Sequence, residues 1–191
     1  MLDDPVAYLD NACVTLKPQS VIDSIQDYYI NTPGCGGRSV HRYGTHVSKS
    51  ISQSRKKLAN FFSAPSVNEI VFTRNATHSL NQIAKGLEWN KGDVVLTTDR
   101  EHNSNLVPWL QLEQEQGIDH RVVRSNQDNT FNLESFEEAC AEAGTKLKMV
   151  SMSHVGNLDG VETPVKEITK IAKDYGALVS IDGAQSAPHM S

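Results

Sequence analysis

Ala177-Leu-Val-Ser-Ile-Asp182, followed by Gly183-Ala-Gln-Ser-Ala-Pro-His189, is the stretch on which the fold turns. It reads as a short buried strand that ends in a carboxylate and runs into a polar turn. Open α/β sheets hold their ligands outside the carboxyl ends of their strands. The aspartate therefore marks both an edge of a sheet and a candidate binding edge. The sequence stops at Ser191, just past this strand. A sheet ending there has an edge without a neighbour, so the expectation is the front part of a larger cofactor enzyme.

Working back from that strand, helix and strand signals alternate. Leu147-Lys-Met-Val-Ser-Met-Ser153 is a strand, and Thr163-Pro164 opens a helix that Gly176 ends, with the threonine hydroxyl as cap and proline in the first turn. His120-Arg-Val-Val-Arg124 is another strand, with a helix over Leu133 to Ala143 capped by Asn132 and terminated by Gly144. Asp93-Val-Val-Leu-Thr-Thr98 is a strand whose helix runs from Leu106 to Gln116 and stops at Gly117. Glu69-Ile-Val-Phe-Thr73 has strand character, and the helix from Thr77 carries Leu80, Ile83, Ala84 and Leu87 on one face. This alternation predicts βαβ units in a mostly parallel sheet with flanking helices. Right-handed crossovers would gather all the strand-to-helix loops on one edge.

Residues 1–65 read differently. Two amphipathic helices, Pro18 to Ile30 and about Thr45 to Phe62, flank Pro33-Gly-Cys-Gly-Gly-Arg38. The division expected is an N-terminal helical arm over 1–65 and an incomplete cofactor-binding large domain over 66–191. The glycines lack the strand and the Gly-Lys-Ser/Thr pattern of a phosphate loop and read as a tight, mobile loop.

Composition narrows the function classes. With 191 residues the chain can build one real core. A net charge of −5 argues against a nucleic-acid partner, which needs a basic face. Arg55-Lys56-Lys57 reads as the solvated side of a helix, and nothing approaches a membrane span. Met1-Leu-Asp-Asp-Pro5 has no leader character. The three cysteines Cys13, Cys35 and Cys140 form no CxxC pair and suggest a cytoplasmic protein with reduced thiols. Seven histidines without HExxH or Cys/His ligand spacing predict no metal site.

Polar groups stand at each strand end. Thr73-Arg-Asn-Ala-Thr77 opens a helix, where free N–H groups suit a phosphate, although taken alone the stretch is better read as Thr77 merely capping its helix. His102, in Glu101-His-Asn-Ser-Asn105, could stack on a flat ring or be an ordinary loop residue. Asn157, in Ser153-His-Val-Gly-Asn157, could donate to a ligand oxygen, or merely serve a turn. Asp182 needs a cationic partner if buried, and a protonated pyridine nitrogen would supply one; the alternative is a turn aspartate before glycine.

In order and spacing, Tyr8-Leu-Asp-Asn-Ala12, Glu69-Ile-Val-Phe-Thr-Arg-Asn-Ala-Thr77, Glu101-His-Asn-Ser-Asn-Leu-Val-Pro-Trp109, Ser153-His-Val-Gly-Asn157 and Ile181-Asp-Gly-Ala-Gln185 resemble the class V aminotransferase family. Within it they look most like the cysteine desulfurases and selenocysteine lyases. The resemblance covers essentially the whole chain and about the first half of a full-length member. It implies a fold type I large domain, pyridoxal 5′-phosphate as cofactor, L-cysteine as substrate, a homodimer, and a protein that accepts sulfur. By that resemblance Ala76 and Thr77 would hold the phosphate, His102 would stack on the ring, and Asp182 would pair with the ring nitrogen. Gln185 would bond the phenolic oxygen, and Asn157 that oxygen or the substrate carboxylate. Ala12 and His41 would lie near the substrate. The implied reaction converts L-cysteine to L-alanine and leaves the sulfur as a persulfide on an enzyme cysteine.

There are departures. The family's cofactor-bearing lysine, its sulfur-accepting cysteine and its carboxylate-binding arginine would fall beyond Ser191, so the 191 residues alone are expected to be inactive. Cys13 stands where relatives more often have alanine, and Asn103 where many have a second histidine. Kynureninase-like, epimerase-like or transaminase-like chemistry, or a non-catalytic partner of the same fold, are the alternatives.

Overall fold

The computed structural model describes residues 7–190. Met1-Leu-Asp-Asp-Pro5, read above for leader character, lies outside them, as does Ser191. The chain forms two compact units, divided between Phe72 and Thr73.

The N-terminal unit holds α1 (Gln19–Asn31) and α2 (Arg42–Phe61). Val21, Ile22, Ile25, Tyr29 and Ile30 of α1 are exposed. The loop between the helices lies close against the start of α2. A Cβ on Gly34 would stand 2.9 Å from the Tyr43 carbonyl carbon, and one on Gly44 only 2.5 Å from Ser39 Cβ. These glycines let the loop lie directly on the start of α2.

Glu69 to Thr73 is the sequence expectation that fails. Val67–Glu69 is a 3-10 turn, and residues 70–73 are irregular. Strand propensity is realised only against a ladder partner; here Val71 and Phe72 are exposed, and the Ile70 carbonyl accepts from Arg55 Nε at 3.1 Å.

The second unit is a parallel four-stranded sheet in the order β2-β1-β3-β4. Its elements are α3 (Ala76–Gly86), β1 (Val94–Thr98), α4 (Asn103–Gln116), β2 (Asp119–Val123), α5 (Leu133–Ala143), β3 (Leu147–Ser153), α6 (Val165–Asp174) and β4 (Leu178–Asp182). β1 is buried along its whole length, because it packs helices on both faces. Val94 and Leu96 point into one core with Val150, Met152, Phe136 and Cys140 of α5, and Ile168 of α6. Val95 and Met149 point into the other, with Ala84 of α3 and Trp109 and Leu112 of α4. Alternation within the strands thus builds a helix–sheet–helix sandwich.

Local chemistry sets the helix ends. Asn132 Oδ1 caps α5 by accepting from Ser135 N at 2.9 Å. Gly117 ends α4 at φ 72°, a left-handed conformation that favours glycine. The cap expected from Thr163 is not made: Pro164 is the N-cap of α6, with no side-chain cap bond, while the Thr163 N–H goes to the His154 carbonyl at 2.8 Å. At the opposite end of the sheet Lys148 Nζ meets Asp93 Oδ2 at 2.7 Å. Burial pushes the Asp93 carboxyl up, but hydrogen bonds from Lys148 and Asn90 and the lysine charge outweigh it and hold it below the ordinary value.

Candidate functional site

Because all four strands are parallel, Thr98, Val123, Ser153 and Asp182 end on one edge. Ser153 and Asp182 are register partners. The edge is tied by Glu101, a residue that the sequence reading passed over. Its carboxylate accepts from Thr98 Oγ1 (2.6 Å), Asn105 Nδ2 (2.6 Å), Ser153 N (2.9 Å) and Ser153 Oγ (2.7 Å). Asn105, fully buried, accepts in turn from Ser151 Oγ at 2.5 Å. One half-buried carboxylate thus joins the ends of β1 and β3 to the first turn of α4. Glutamate and asparagine four residues apart, directly after a strand, were the available signal.

His102 is the N-cap of α4. Its Nδ1 accepts from Ser104 N at 3.1 Å and lies 2.9 Å from Ser104 Oγ. Ser104 Oγ is also 2.6 Å from Thr77 Oγ1, so the first turns of α3 and α4 meet at this edge. Thr77 is not the cap of α3. Asn75 takes that role, its Oδ1 accepting from His78 N at 2.8 Å. The N–H groups of Ala76 and Thr77 have no partner among the described residues, the usual state of a helix start.

Asp182 is half-buried at the end of β4. Its Oδ1 accepts from Ala184 N at 3.0 Å, and its carbonyl accepts from His154 N at 3.0 Å. Among the described residues no cation stands within ion-pair distance of its carboxylate. Gln185 lies in the turn that follows. Asn157 sits in the loop after β3, where Val155 and Glu162 form an antiparallel bridge. An ion pair between Arg100 and Asp159 pins this loop to the one after β1. A hollow of about 230 Å³ there is lined by Arg100, Glu101 and Asn157.

Ala12 and His41 belong to the other unit. His41 caps α2, its Nδ1 accepting from Gly44 N at 3.4 Å. Of the three thiols Cys13 and Cys35 are exposed and Cys140 is buried. Burial, and behind it the Glu137 charge, push the Cys140 thiol up to about 12, so it is no nucleophile.

The edge thus carries a helix start with two free amides, a histidine beside it and, at the end of β4, a carboxylate with no cation near it among the described residues. The aminotransferase class-V family model matches residues 7–191. The chain belongs to that family. A probable cysteine desulfurase of Halalkalibacterium halodurans is 38% identical over 189 residues, covering 97% of this chain and 46% of the relative. The apo structure of a cysteine desulfurase from Thermococcus onnurineus superposes with a TM-score of 0.87 at 36% identity, over 95% of this chain and 44% of that one. A C-DES mutant with glycine covalently linked to its PLP cofactor matches at 0.72 and 25% identity, over 88% and 43%. The chain therefore spans less than half the length of the curated relatives it matches. This class-V chain is an α/β domain of the pyridoxal-phosphate fold type I kind, and its relatives carry the name cysteine desulfurase. No helix among the described residues is long and apolar enough to cross a membrane.

Proposed function

We propose that this class-V chain provides the cofactor grip of a pyridoxal-phosphate-dependent cysteine desulfurase, which converts L-cysteine to L-alanine and passes the sulfur on as a persulfide. The observation that carries the reading is the gathering, at one sheet edge, of the free amides of Ala76 and Thr77, the imidazole of His102, and a half-buried Asp182 carboxylate without a cation. The donor set fits the cofactor at both ends: amides for the phosphate and a carboxylate for the ring nitrogen.

In this reading Ala76 and Thr77 donate to the phosphate, aided by the helix dipole. His102 lies against the ring face. Asp182 holds a proton on the ring nitrogen, since a charged partner offsets the cost of its own burial. Gln185 donates to the phenolic oxygen, and Asn157 to that oxygen or to the substrate carboxylate. Ala12 and His41 are further substrate-binding residues in this reading. The bound cofactor supplies an electron sink for the bond broken at the substrate α-carbon.

The same proposal includes a homodimer, a sulfur-accepting protein and a cytoplasmic setting. The exposed apolar residues of α1 support the first, and three unpaired thiols the last. The grip is tested by titrating the chain with pyridoxal 5′-phosphate and mapping amide shifts. Movement at Ala76, Thr77 and Ala184 is expected, and no movement there sinks the reading. The reaction is tested with this chain in its natural sequence context, L-cysteine and a reductant. Alanine and sulfide in equal amounts are expected. Turnover of another amino acid without L-cysteine would favour a kynureninase-, epimerase- or transaminase-like enzyme instead.

A further inference from the structure

We infer that Ser104 is a positioning residue, whose single hydroxyl proton couples the phosphate seat at Thr77 to the imidazole of His102; the inference rests on the cofactor grip proposed above. Three contacts carry it. Ser104 N donates to His102 Nδ1 at 3.1 Å. Ser104 Oγ lies 2.9 Å from the same nitrogen and 2.6 Å from Thr77 Oγ1.

The directions of these bonds follow from proton counting. A backbone N–H can only donate, so Nδ1 is an acceptor and the proton of the neutral ring is on Nε2. Ser104 Oγ therefore also donates to Nδ1, which spends its one proton. The Thr77 hydroxyl must then donate to Ser104. With the phosphate seat empty the chain runs from Thr77 to Ser104 to His102, and Nδ1 receives two donors.

The dianionic phosphate ester of pyridoxal 5′-phosphate has only acceptor oxygens, and inorganic phosphate, which keeps a P–OH, seats its unprotonated oxygens against the positive start of α3, so either phosphate presents acceptors to Thr77. Thr77 can serve it only by turning its proton away from Ser104. Thr77 Oγ1 then becomes the acceptor, and Ser104 swings its proton from Nδ1 to Thr77. His102 keeps the bond from Ser104 N, and hence its tautomer, but loses the second donor. The ring is held by one bond instead of two and turns more freely against whatever fills the site. No proton is gained or lost; two hydroxyl rotors reverse.

The readout is the nitrogen spectrum of the His102 ring, recorded on the ¹⁵N-labelled chain during titration with inorganic phosphate, then with pyridoxal 5′-phosphate, with pyridoxal as the control that lacks the phosphate. Inorganic phosphate is expected to move the Ala76 and Thr77 amides, and with them to shift Nδ1 downfield as it loses a donor. Pyridoxal should leave those amides in place. In Ser104→Ala, Nδ1 should begin at the downfield position and stay there, while the amides still respond. In Thr77→Val, Nδ1 should begin where the unsubstituted chain does and ignore phosphate. A purely structural serine would alter stability without producing this pattern.

Amides that move while Nδ1 does not, or an Nδ1 shift undiminished in Ser104→Ala, would overturn the relay and leave the grip intact. Amides indifferent to both phosphate and pyridoxal 5′-phosphate would overturn the grip and the relay together.

Discussion

Replacing Glu101 tests whether one carboxylate holds the binding edge of the sheet. It accepts from four donor groups: the hydroxyls of Thr98 and Ser153, the Asn105 amide and the Ser153 N–H. In Glu101→Gln the new carbonyl oxygen can take the Oε2 position and keep Asn105 and both Ser153 donors. The new NH₂ then faces the Thr98 hydroxyl, which rotates to accept. What is lost is mainly charge assistance, worth about 1 kcal/mol per bond between charged and neutral cases and not additive. A half-buried site lowers this further, so the expected cost is about 1–2 kcal/mol. Glu101→Leu leaves the Ser153 N–H and the Asn105 NH₂ without an acceptor. Two orphaned donors at about 1–3 kcal/mol each give a cost of about 4 kcal/mol. For a chain of this size that is a fall in Tm of about 2–8 °C for glutamine and about 8–16 °C for leucine. Urea unfolding read by tryptophan fluorescence is the assay, because Trp109 is fully buried and its Nε1 lies 3.5 Å from Asn105 Oδ1. The midpoint should fall with the slope unchanged. Equal losses in both variants, or a leucine variant within about 1 kcal/mol of the unsubstituted chain, would refute the reasoning.

Thiol titration of the native chain should find Cys13 and Cys35 quickly and Cys140 only after denaturant is added; three fast native thiols would contradict the buried, high-pKa Cys140. Burial holds His120 below its ordinary value of 6.5, against the opposing pull of Glu113 and Asp119. The unfolded chain therefore takes up this proton first, and stability present above about pH 6.5 is lost as the pH falls. The urea midpoint should drop between about pH 7.5 and pH 5.5, and drop less in His120→Gln; parallel pH profiles would remove His120 as the cause. Asp182→Asn should weaken pyridoxal 5′-phosphate binding about tenfold or more in equilibrium dialysis, a change of about 1.4 kcal/mol, with the fold intact. Unchanged binding would exclude the pairing of Asp182 with the ring nitrogen.

The sheet was legible where strands are buried on both faces. Val94 to Thr98 (Val-Val-Leu-Thr-Thr) and Leu147 to Ser153 (Leu-Lys-Met-Val-Ser-Met-Ser) are rich in apolar and small residues and are buried along most of their length. Glu69 to Thr73 has the same local composition but no neighbouring strand among the described residues, and composition does not say which strands find partners. Gly34 was read as part of a tight, mobile loop; the folded chain adds that a Cβ there would strike the start of α2. At the site the sequence picked out His102, Thr77 and Asp182, the residues of the proposed cofactor grip, because their motifs resemble those of a known family. Glu101 and Ser104 escaped notice because their partners are remote in sequence: Ser153 lies 52 residues from Glu101, and Thr77 lies 27 from Ser104.

These two residues show how the start of α4 does two jobs. Glu101 stands just before the His102 cap and Asn105 in the first turn of α4, and together they bind the strands through Thr98, Ser153 and Ser151. His102 and Ser104 sit between them in sequence and turn toward α3 instead, where Thr77 waits. The start of α4 thus separates an edge-holding pair from a pair that turns toward α3 within five residues. Their effects should separate too. Glu101 variants should change stability and leave the phosphate response of His102 in place wherever the chain stays folded. Ser104→Ala should abolish that response at little cost in stability, because the hydroxyl lies near the surface. If the two sets of effects proved inseparable, the first turn of α4 would be a single structural unit, and the relay would be no more than part of its scaffold.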